Sequence, residues 1–407
     1  MTRHVFKLVW NRKRATGLIL LEILICYLVL CGLLAWGVNL GQRWRRPLGF
    51  AYENVWHVDI NGLNWNAEGE ELATARRTIA EILRALPDLP EVEAAAAATN
   101  TPFSDSTWLN TTYIDGAQQP VEYTMMTPGL PEVLGLKLLY GRWVEPTDDA
   151  LDYQAIVVNR RFAEGLFGLE NAVGRDLPEF DENGEPKEPE DDAKITRVVG
   201  VMDDYRRHGV TRSDPYVMFR GLDLDGGDEV VSELLVRVRP GTTGAFEEKL
   251  VRTLQQLGPQ WSYDTTPVTD MQRRAFRQYV TPLLVTAVVA LFLIVMVGLG
   301  LVGVLWLSVT RRTAELGLRR ALGASAGSVQ RQVLGELWAL TALAVVAGTA
   351  IFLQLPLFGA NFGATWTVFC GGAALATLVV YGFVTFCGLY PTWLATRILP
   401  ATALQYE

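Results

Sequence analysis

Hydrophobic residues are concentrated in four long blocks of the chain, at residues 16–36, 283–309, 332–355 and 366–390. Each block is longer than the roughly 20 apolar residues that cross about 30 Å of hydrocarbon. The more polar residues 37–279 separate the first block from the other three and are numerous enough to bury a core of their own. The pattern predicts an α-helical membrane protein with four transmembrane helices in a 1+3 arrangement.

Within residues 37–279 the apolar period changes repeatedly between that of a strand and that of a helix. NVWHVDI, from residue 54, alternates like a strand, and the apolar positions of 68–86 recur at helical spacing until Pro87. The other strand-like runs are WLNTTYI, VEYTMMT, AIVVN, RVVGVM, YVMF and LLVRVRP, and AFEEKLVRTLQQLG is a second amphipathic helix. Strands interspersed with helices predict a large extracytoplasmic α+β domain with two lobes.

The ends of the apolar blocks give the predicted domain boundaries. Leu283 to Val309 as one helix is about 40 Å long, so it either tilts or continues outward as a stalk. The first block is too long for the apolar region of a typical signal peptide and is predicted to be an uncleaved anchor. The segments are, in order, a cytoplasmic amphipathic N-terminus (1–15), transmembrane helix 1 (16–36), the outer domain (37–279), transmembrane helix 2 with a possible stalk (280–309), a cytoplasmic coupling helix and turn (310–331), transmembrane helix 3 (332–355), a short outer loop (356–365), transmembrane helix 4 (366–390) and a cytoplasmic tail (391–407).

Charge is divided unevenly between the membrane segments and the outer domain. Residues 1–36 and 280–407 together hold 11 Lys/Arg against 4 Asp/Glu, whereas residues 37–279 hold 25 against 40. Basic residues near the ends of spans favour the cytoplasmic side. They cluster before the first span and in the second connection, although Arg43, Arg45, Arg46, Arg273, Arg274 and Arg277 lie on the opposite flanks. The balance predicts a multi-pass protein of the cytoplasmic membrane with both termini inside.

Several chemistries have no support in the sequence. All four cysteines fall inside the spans, which favours a packing role over a redox role. The acidic stretch EFDENGEPKEPEDDA and the run LDLDGGDE lack the ligand spacing of a calcium loop, so both are interpreted as solvated loops. The sequence has no GxxxxGK[ST] or HExxH motif. We therefore predict no catalytic, metal or cofactor-binding residues in this chain and no binding of nucleic acid.

Two ionisable residues, Glu22 and Glu336, lie within the predicted spans. Intramembrane ionisable residues often mark a substrate or ion pathway. Both glutamates are within about two turns of the predicted cytoplasmic ends of their helices. Each can therefore reach the basic interface or pair with an arginine there.

A short basic segment, RRTAELGLRRALGASAGSVQRQ, follows the second span. Read as a helix, it places an apolar stripe on one face and Glu315 and Arg319 at i,i+4 on another. Gly323 suits the end of this helix, and Ser325 or Ser328 can cap the next one. An ordinary charged loop does not need an amphipathic helix with a defined end, so the segment is interpreted as a docking helix.

This segment resembles the signature of the FtsX-type permeases of ABC transporters, E-x-G-x-R-x-A-x-G-A, and other segments match the family in order. The closing YPTWLATRILPATALQYE resembles that family's C-terminus. MTPGLPEVLGLKLLYGRWV, AIVVNRRFAEGLFGLENAVGRDL and RVVGVMDDYRRHGV resemble the MacB-type periplasmic core, and FKLVWNRKRATGLILLEI its amphipathic N-terminus. The residues that the resemblance assigns to ATPase coupling are Arg312, Glu315, Gly317, Arg319, Arg320, Ala321, Gly323 and Ala324.

The resemblance implies a permease that transmits the motion of an ATPase to its outer domain and so moves a substrate outward. MacB carries its ATPase fused at the N-terminus, but only about fifteen residues precede the first span here. A separate cytoplasmic ABC ATPase is therefore expected to bind ATP and Mg. The family also implies a dimer with a second permease copy or a paralogue, and, in Gram-negative relatives, a periplasmic adaptor and an outer-membrane duct.

Two other functions remain open from the sequence. Like FtsX itself, the chain could relay ATPase state to an extracytoplasmic partner such as a cell-wall hydrolase without transport. An anchored extracytoplasmic enzyme would require catalytic activity from residues 37–279 alone. The transported substrate is not indicated by any motif.

Overall fold

The computed structural model describes residues 13–114, 116–180, 186–187, 194–212, 215–227, 229–311, 322, 325–358 and 364–396. The chain divides into two compact units. One unit comprises Met1–Arg45 and Tyr279–Glu407, and the other is Arg46–Gln278. The first contains the apolar helices, and we call it the membrane unit. The second contains the sheets, and we call it the outer unit.

Four long apolar helices are present in the described part of the chain. They are α1 (Lys13–Trp44), α6 (Val268–Arg311), α7 (Ala326–Leu357) and α8 (Trp366–Thr396). Each contains a stretch long and apolar enough to cross a bilayer: Ile19–Trp44, Val268–Leu307, Gln330–Leu357 and Trp366–Leu389. One precedes the sheets in the chain and three follow them, which confirms the predicted 1+3 fold class.

Helices α1, α7 and α8 pack around a buried tyrosine. The side chain of Tyr27 is fully buried, and its hydroxyl lies 2.7 Å from Thr349 Oγ1 on α7. On α8 the same hydroxyl lies 3.2 Å from Thr377 Oγ1 and donates to the carbonyl of Ala373 at 3.3 Å. Glycine allows α7 to approach closely, because a Cβ at Gly348 would lie 2.5 Å from the Tyr27 ring. A polar group paired between helices and a small residue at the contact together fix the register of the three helices.

The outer unit alternates strands and shorter helices. Its helices are α2 (Gly69–Ala85), α3 (Leu130–Leu134), α4 (Arg160–Phe167) and α5 (Ala245–Leu257), with 3₁₀ turns at Leu86–Asp88 and Pro146–Ala150. Its strands are β1 (Val55–Asn61), β2 (Val92–Ala97), β3 (Leu109–Ile114), β4 (Ala117–Met126), β5 (Leu138–Gly141), β6 (Tyr153–Asn159), β7 (Glu179–Phe180), β8 (Pro186–Lys187), β9 (Ile195–Met202), β10 (Tyr216–Gly221), β11 (Glu233–Val238) and β12 (Ser262–Pro267).

The strands form two main sheets that pack face to face. Sheet A is antiparallel with strand order β12-β1-β11-β2, and sheet B is mixed with order β3-β4-β10-β6-β9-β5. Val55 and Leu235 of sheet A share one buried cluster with Val157 and Phe219 of sheet B. Helices α2 and α5 cover the other face of sheet A, and α4 covers the other face of sheet B. This arrangement confirms the predicted α+β domain with two lobes.

Backbone hydrogen bonds join the two sheets at one corner. The amide of Thr99 donates to the carbonyl of Met125, and the amide of Thr127 donates to that of Ala97, both at 2.9 Å. Next to this corner, within sheet B, the amide of Leu222 donates to the carbonyl of Met126 at 2.8 Å. The chain passes through this corner when it leaves β2 for sheet B. The lobe of sheet B is therefore an insertion between β2 and β11 of sheet A.

Some strands were missed by the sequence analysis. β2 reads VEAAAA, and alanine favours helices in isolation. In the fold Ala94 and Ala96 face sheet B, where their small side chains permit close packing, and Ala97 packs into the cluster on the other face of sheet A. β5 and β12 are also absent from the predicted elements, because LLYG is too short and SYDTTP too polar to give an apolar period. Of the acidic stretch 179–193, the described residues form the short β7–β8 pair.

The crossover from β2 to β3 carries buried polar groups between the sheets. Glu233 of β11 accepts hydrogen bonds from the amide of Thr101 at 3.2 Å and from its hydroxyl. His57 Nε2 of β1 lies 3.5 Å from the same carboxylate. Asn100 donates to the carbonyls of Trp108 and Tyr123 at 2.9 and 2.7 Å. These contacts fix the crossover to both sheets.

A buried ion pair lies on the sheet B side of the crossover. Arg207 is fully buried, and its Nε lies 3.0 Å from Glu122 Oε2 on β4. His208 Nε2 lies 3.4 Å from the other oxygen of Glu122. The Arg207 carbonyl accepts from the amide of Phe103, and its guanidinium lies 3.4 Å from the Thr107 hydroxyl. The crossover is thus held at both ends by buried charged groups.

Burial and pairing shift the pKa values of these groups. Burial alone raises the pKa of Glu122, but the His208 hydrogen bond and the Arg207 charge outweigh it, so the pKa is lowered. The pKa of Glu233 is likewise lowered, because contact with His57 and hydrogen bonds from Thr101 outweigh its burial. Burial lowers the pKa of His208, and the adjacent Glu122 carboxylate offsets this only in part. At neutral pH the two carboxylates are therefore ionised and His208 is neutral.

Alanine substitutions of Gly348 and Gly335 are expected to distinguish the effect of close packing on stability from that of helix propensity. Gly348→Ala places a methyl group within 2.5 Å of the Tyr27 ring, and such overpacking costs about 1–3 kcal/mol. Gly335 lies on the same helix with open space at its Cβ, so Gly335→Ala is expected to stabilise by up to about 1 kcal/mol. Thermal unfolding of both full-length variants in detergent measures the difference. Equal melting temperatures for the two variants would contradict the packing at Tyr27.

Acidification is expected to destabilise the outer unit. The folded state holds the pKa values of His208, Glu122 and Glu233 below those of the unfolded chain, so the unfolded chain binds more protons in acid. The His208 contribution is complete above its ordinary value of 6.5 and is lost as the pH falls below it. The glutamate contributions are complete above 4.5 and are lost as the pH falls further. Thermal melts of the full-length protein between about pH 7 and pH 4 measure this loss.

Matched variants identify the groups responsible for the acid sensitivity. His208→Gln is expected to reduce the fall in melting temperature between about pH 7 and pH 5. Glu248→Gln changes a highly exposed carboxylate on α5 and is expected to leave the fall unchanged. An identical pH dependence in His208→Gln and the unchanged protein would show that His208 does not contribute.

Candidate functional site

The residues predicted to couple the permease to an ATPase lie outside the described part of the chain. These are Arg312, Glu315, Gly317, Arg319, Arg320, Ala321, Gly323 and Ala324. On one side of this segment α6 ends at Arg311. On the other side Ser325 caps α7 by accepting a hydrogen bond from the amide of Ser328 at 3.3 Å, as one of the two predicted caps. The part of the eight undescribed residues in ATPase coupling therefore stays a prediction from the sequence.

The two predicted intramembrane glutamates lie on different helices. Glu22 is half-buried on α1, and its carboxylate lies against Gly300 of α6, where a Cβ would be 2.9 Å from Oε2. Glu336 is half-buried on α7. Contact with a glycine lets the Glu22 carboxyl reach the backbone of a neighbouring helix.

A groove of about 380 Å³ opens beside the corner that joins the two sheets of the outer unit. One wall is formed by α2 of the sheet A lobe, and the other by the 3₁₀ turn Pro146–Ala150 and the chain after β10. The lining residues are Ala80, Leu83, Arg84, Ala95, Met126, Thr127, Pro128, Gly129, Val144, Glu145, Pro146, Asp149, Gly221, Leu222, Asp223, Leu224 and Asp225. We call this the interlobe groove. Any displacement of the two lobes changes its width.

Carboxylates dominate the charged rim of the interlobe groove. The pKa of Asp149 is raised by burial and then by repulsion from Asp223 and Asp148. Asp223 Oδ1 accepts hydrogen bonds from the amides of Asp225 and Gly226 at 2.8 and 3.0 Å, which fixes this carboxylate in its turn. Arg84 lies 4.0 Å from Asp225, but both side chains are largely exposed and the pair is weak. The rim therefore carries negative potential.

The floor of the groove is apolar and includes Leu83, Met126, Val144 and Leu222. An apolar floor below an acidic rim favours apolar or positively charged occupants over anions. Among the described residues, no group of three or more metal-binding side chains is placed to hold an ion. The groove therefore combines apolar side chains on its floor with carboxylates on its rim.

The sequence contained a partial signal for this groove. LDLDGGDE was considered as a calcium loop and interpreted as solvated, and the structure places its Asp223 and Asp225 on the rim. The opposite wall comes from residues near Asp149, which are distant in the chain. Arg207 and Glu122 were also missed, because RRHGV looks like an ordinary basic surface turn. Only the packing of sheet B shows that Arg207 is buried.

Comparison with known families assigns both parts of the chain. Residues 16–253 match the family described as MacB-like periplasmic core domain, which is more than half of the 407 residues. Residues 287–400 match the FtsX-like permease C-terminal family. The second match includes the segment in which the coupling residues were predicted.

Relatives of known sequence agree with these two matches. The macrolide export ATP-binding/permease protein MacB of Chlorobium luteolum is 26% identical over 327 residues, covering 75% of this chain and 44% of that protein. The chain thus spans less than half the length of this relative. The uncharacterized ABC transporter permease YknZ of Bacillus subtilis is 25% identical over 288 residues, covering 69% of this chain and 68% of YknZ.

A solved structure also matches the outer part of the chain. The periplasmic region of MacB from Actinobacillus actinomycetemcomitans covers 57% of this chain and 97% of its own, at 14% identity and a TM-score of 0.36, which is too low to support an inference. The assignment depends instead on the two family matches, in the order that the sequence predicted. The chain belongs to the ABC transporter permeases of the MacB/FtsX type, with a MacB-like periplasmic core domain and an FtsX-like C-terminal region.

Proposed function

We propose that this protein is the mechanotransmission permease of an ABC export complex. A separate cytoplasmic ATPase hydrolyses ATP, and the permease converts its motion into a conformational change of the outer unit that moves substrate outward. The protein itself has no enzymatic role in this proposal. ATP and Mg are bound by the partner ATPase.

The observation that carries the proposal is the way in which the outer unit meets the chain of the membrane helices. β1 and β12, the first and last strands of the unit, are neighbours in sheet A and pair over Trp56↔Pro267 to Asn61↔Ser262. α6 begins at Val268, directly after β12. Both connections to the membrane helices therefore lead into adjacent, hydrogen-bonded strands. In this proposal a displacement of these helices is transmitted to the outer unit without a long flexible linker.

The relatives support export as the purpose of this motion. MacB of Chlorobium luteolum is a macrolide export ATP-binding/permease protein, and YknZ of Bacillus subtilis is an uncharacterized ABC transporter permease. For this chain, export is proposed by extension from the shared family. In this proposal the interlobe groove, which elements of both lobes line, is the surface that opens and closes as the lobes move.

Coupling to the ATPase is assigned to the segment between α6 and α7. The sequence of this segment supplies positive charge at Arg319 and Arg320, polar side chains at Arg312 and Glu315, and small residues at Gly317, Ala321, Gly323 and Ala324. Leu322, which lies in this segment, exposes 81% of its surface, consistent with an apolar contact left for a partner.

The complete machine contains further partners in this proposal. A second permease copy or a paralogue completes a dimer in the lipid bilayer. In a Gram-negative cell a periplasmic adaptor and an outer-membrane duct extend the path across the envelope. The same coupling also serves an FtsX-like regulator of an extracytoplasmic partner such as a cell-wall hydrolase, without transport. A drug or lipid phenotype on deletion favours export, whereas a division or wall phenotype alone favours regulation.

Reversal of charge on the docking segment is expected to release the ATPase. In the double variant Arg319→Glu/Arg320→Glu, repulsion at the interface is expected to reduce ATPase recovered with the tagged permease at least about tenfold. Arg77→Glu/Arg252→Glu makes the same change of charge on exposed helices of the outer unit and is expected to retain the ATPase. Quantitative co-purification measures both. Full recovery with the docking variant would contradict the coupling role.

Thiol labelling in intact cells is expected to report the proposed orientation. In a Cys370→Ser background, Gln255→Cys on the exposed face of α5 lies outside, and Leu322→Cys lies in the cytoplasm. A membrane-impermeant maleimide is therefore expected to label the first before cell lysis and the second only afterwards. Labelling of Leu322→Cys in intact cells would reverse the proposed orientation.

A further inference from the structure

The two connections between the outer unit and the chain of the membrane helices are built differently. At the second connection β12 ends at Pro267 and α6 begins at the next residue. Val268 is fully buried in the core between the sheets, and Met271 packs against the same core. The start of α6 is therefore continuous with β12 of sheet A, with no intervening linker, and packs into the core that both sheets share.

The first connection, residues 45–54, lies between the end of α1 and the start of β1. Arg206 holds it at two positions. The amide of Arg206 donates to the carbonyl of Leu48 at 2.9 Å, and its Nη1 donates to the carbonyl of Arg46 at 3.2 Å. Its Nη2 donates to the carbonyl of Gly209 at 3.1 Å. The planar guanidinium thus bridges the first connection and the turn that follows β9, a geometry that lysine cannot reproduce.

Gly49 brings the two segments into direct backbone contact. Its φ is +83°, in the region that favours glycine, and a Cβ there would lie 1.5 Å from the carbonyl oxygen of Asp204. Both the conformation and the space therefore exclude any other residue. This contact places the first connection on the backbone of residues 203–209, which we call the seat.

Aromatic packing extends the contact into sheet B. The ring of Phe50 lies 5.3 Å from that of Tyr205 and 5.8 Å from that of Phe103. Tyr205 in turn lies 5.3 Å from Phe219, which is fully buried on β10 of sheet B. The first connection therefore contacts sheet B through a continuous chain of buried rings. Such pairs contribute about 0.5–1.5 kcal/mol beyond their buried area, in measurements on other proteins.

The seat is itself fixed to sheet B and its lobe. It follows β9 directly, and the amide of Asp203 donates to the carbonyl of Lys137 at 2.9 Å. The carboxylate of Asp203 pairs with Arg160 on α4, and Arg207 pairs with Glu122 on β4. The seat therefore moves with sheet B. Beyond its contact with the seat, the first connection reaches sheet A, where the amide of Val238 donates to the carbonyl of Asn54 at 2.8 Å.

We propose that Arg206 is a positioning residue which, with Gly49, clamps the first connection to sheet B, so that α1 drives sheet B while α6 drives sheet A. The inference rests on the proposed mechanotransmission. A relative displacement of α1 and α6 then becomes a displacement between the two sheets. The interlobe groove lies between the elements that are displaced. The groove is therefore the part of the outer unit that responds to the ATPase cycle.

The clamp is tested first without an ATPase, by hydrogen–deuterium exchange on the full-length protein in lipid nanodiscs. Arg206→Gln removes hydrogen bonds from a charged donor, so amides in residues 46–52 and 203–209 are expected to exchange about tenfold faster or more. Residues 262–271 are expected to exchange at unchanged rates. Arg252→Gln, an exposed arginine on α5, is the matched control and is expected to change none of these segments. Unchanged exchange of residues 46–52 in Arg206→Gln overturns the clamp.

Transmission is then tested on the complex with the co-purified ATPase, with and without ATP and vanadate. In the unchanged protein and in Arg252→Gln, nucleotide is expected to alter exchange in segments of both sheets that line the groove. In Arg206→Gln the response of residues 216–225 is expected to fall at least about fivefold, while that of residues 94–98 and 262–267 is retained. Arg206→Lys, with one amino group in place of the fork, is expected to give an intermediate response and is used if Arg206→Gln does not fold.

The outcomes separate this inference from the proposed function. If sheet B of Arg206→Gln keeps its full nucleotide response, the assignment of α1 to sheet B and of α6 to sheet A is wrong. The assignment is also wrong if the nucleotide response falls equally in both sheets. If the unchanged permease binds an ATPase but shows no nucleotide response in either sheet, mechanotransmission is wrong and the inference fails with it. If the unchanged permease binds no ATPase, the proposed function is wrong at its first step.

Discussion

The pairing of buried polar groups between the two sheets is the constraint on which the outer unit depends. The crossover from β2 to β3 takes backbone amides, hydroxyls and charged side chains into a space that is otherwise apolar. Removal of one partner from a buried ion pair costs about 3–5 kcal/mol, because the remaining charge stays unpaired. Glu122 and Arg207 satisfy this requirement on the sheet B side, and Glu233 with Thr101 satisfies it on the sheet A side. In this conformation the two lobes are consequently held in one defined register.

This register also explains the location of the groove and of the seat. The backbone bonds from Thr99 and Thr127 close one corner between the sheets, and the groove opens beside that corner. Arg207 pairs inward with Glu122, while its neighbour Arg206 holds the first connection. Two adjacent arginines thus have different structural tasks. One fixes the seat to sheet B, and the other fixes the chain that follows α1 to the seat.

The membrane unit uses a different means of fixing its helices. Apolar side chains give little preference for another helix over lipid, so packing geometry and paired polar groups decide the contacts. Tyr27 satisfies its hydroxyl on both α7 and α8, and Gly348 provides the space for its ring. In contrast, α6 leaves much of its apolar surface exposed, including Val288 and Leu299 at 68% each. This surface is suited to lipid or to another membrane helix.

The four spans, their 1+3 order and most elements of the outer unit can be predicted from the amino-acid sequence. Span length is set by the thickness of hydrocarbon, and the periods of strands and helices are local properties, so neither requires knowledge of distant residues. The tertiary structure alone decided that VEAAAA is a strand, because pairing with β11 and contact with sheet B outweigh the helical preference of alanine. It also decided that Arg207 is buried, that Asp149 and Asp223 share a groove, and that Gly49 meets Asp204. These contacts join residues far apart in the chain, and only the packing of the two sheets brings them together.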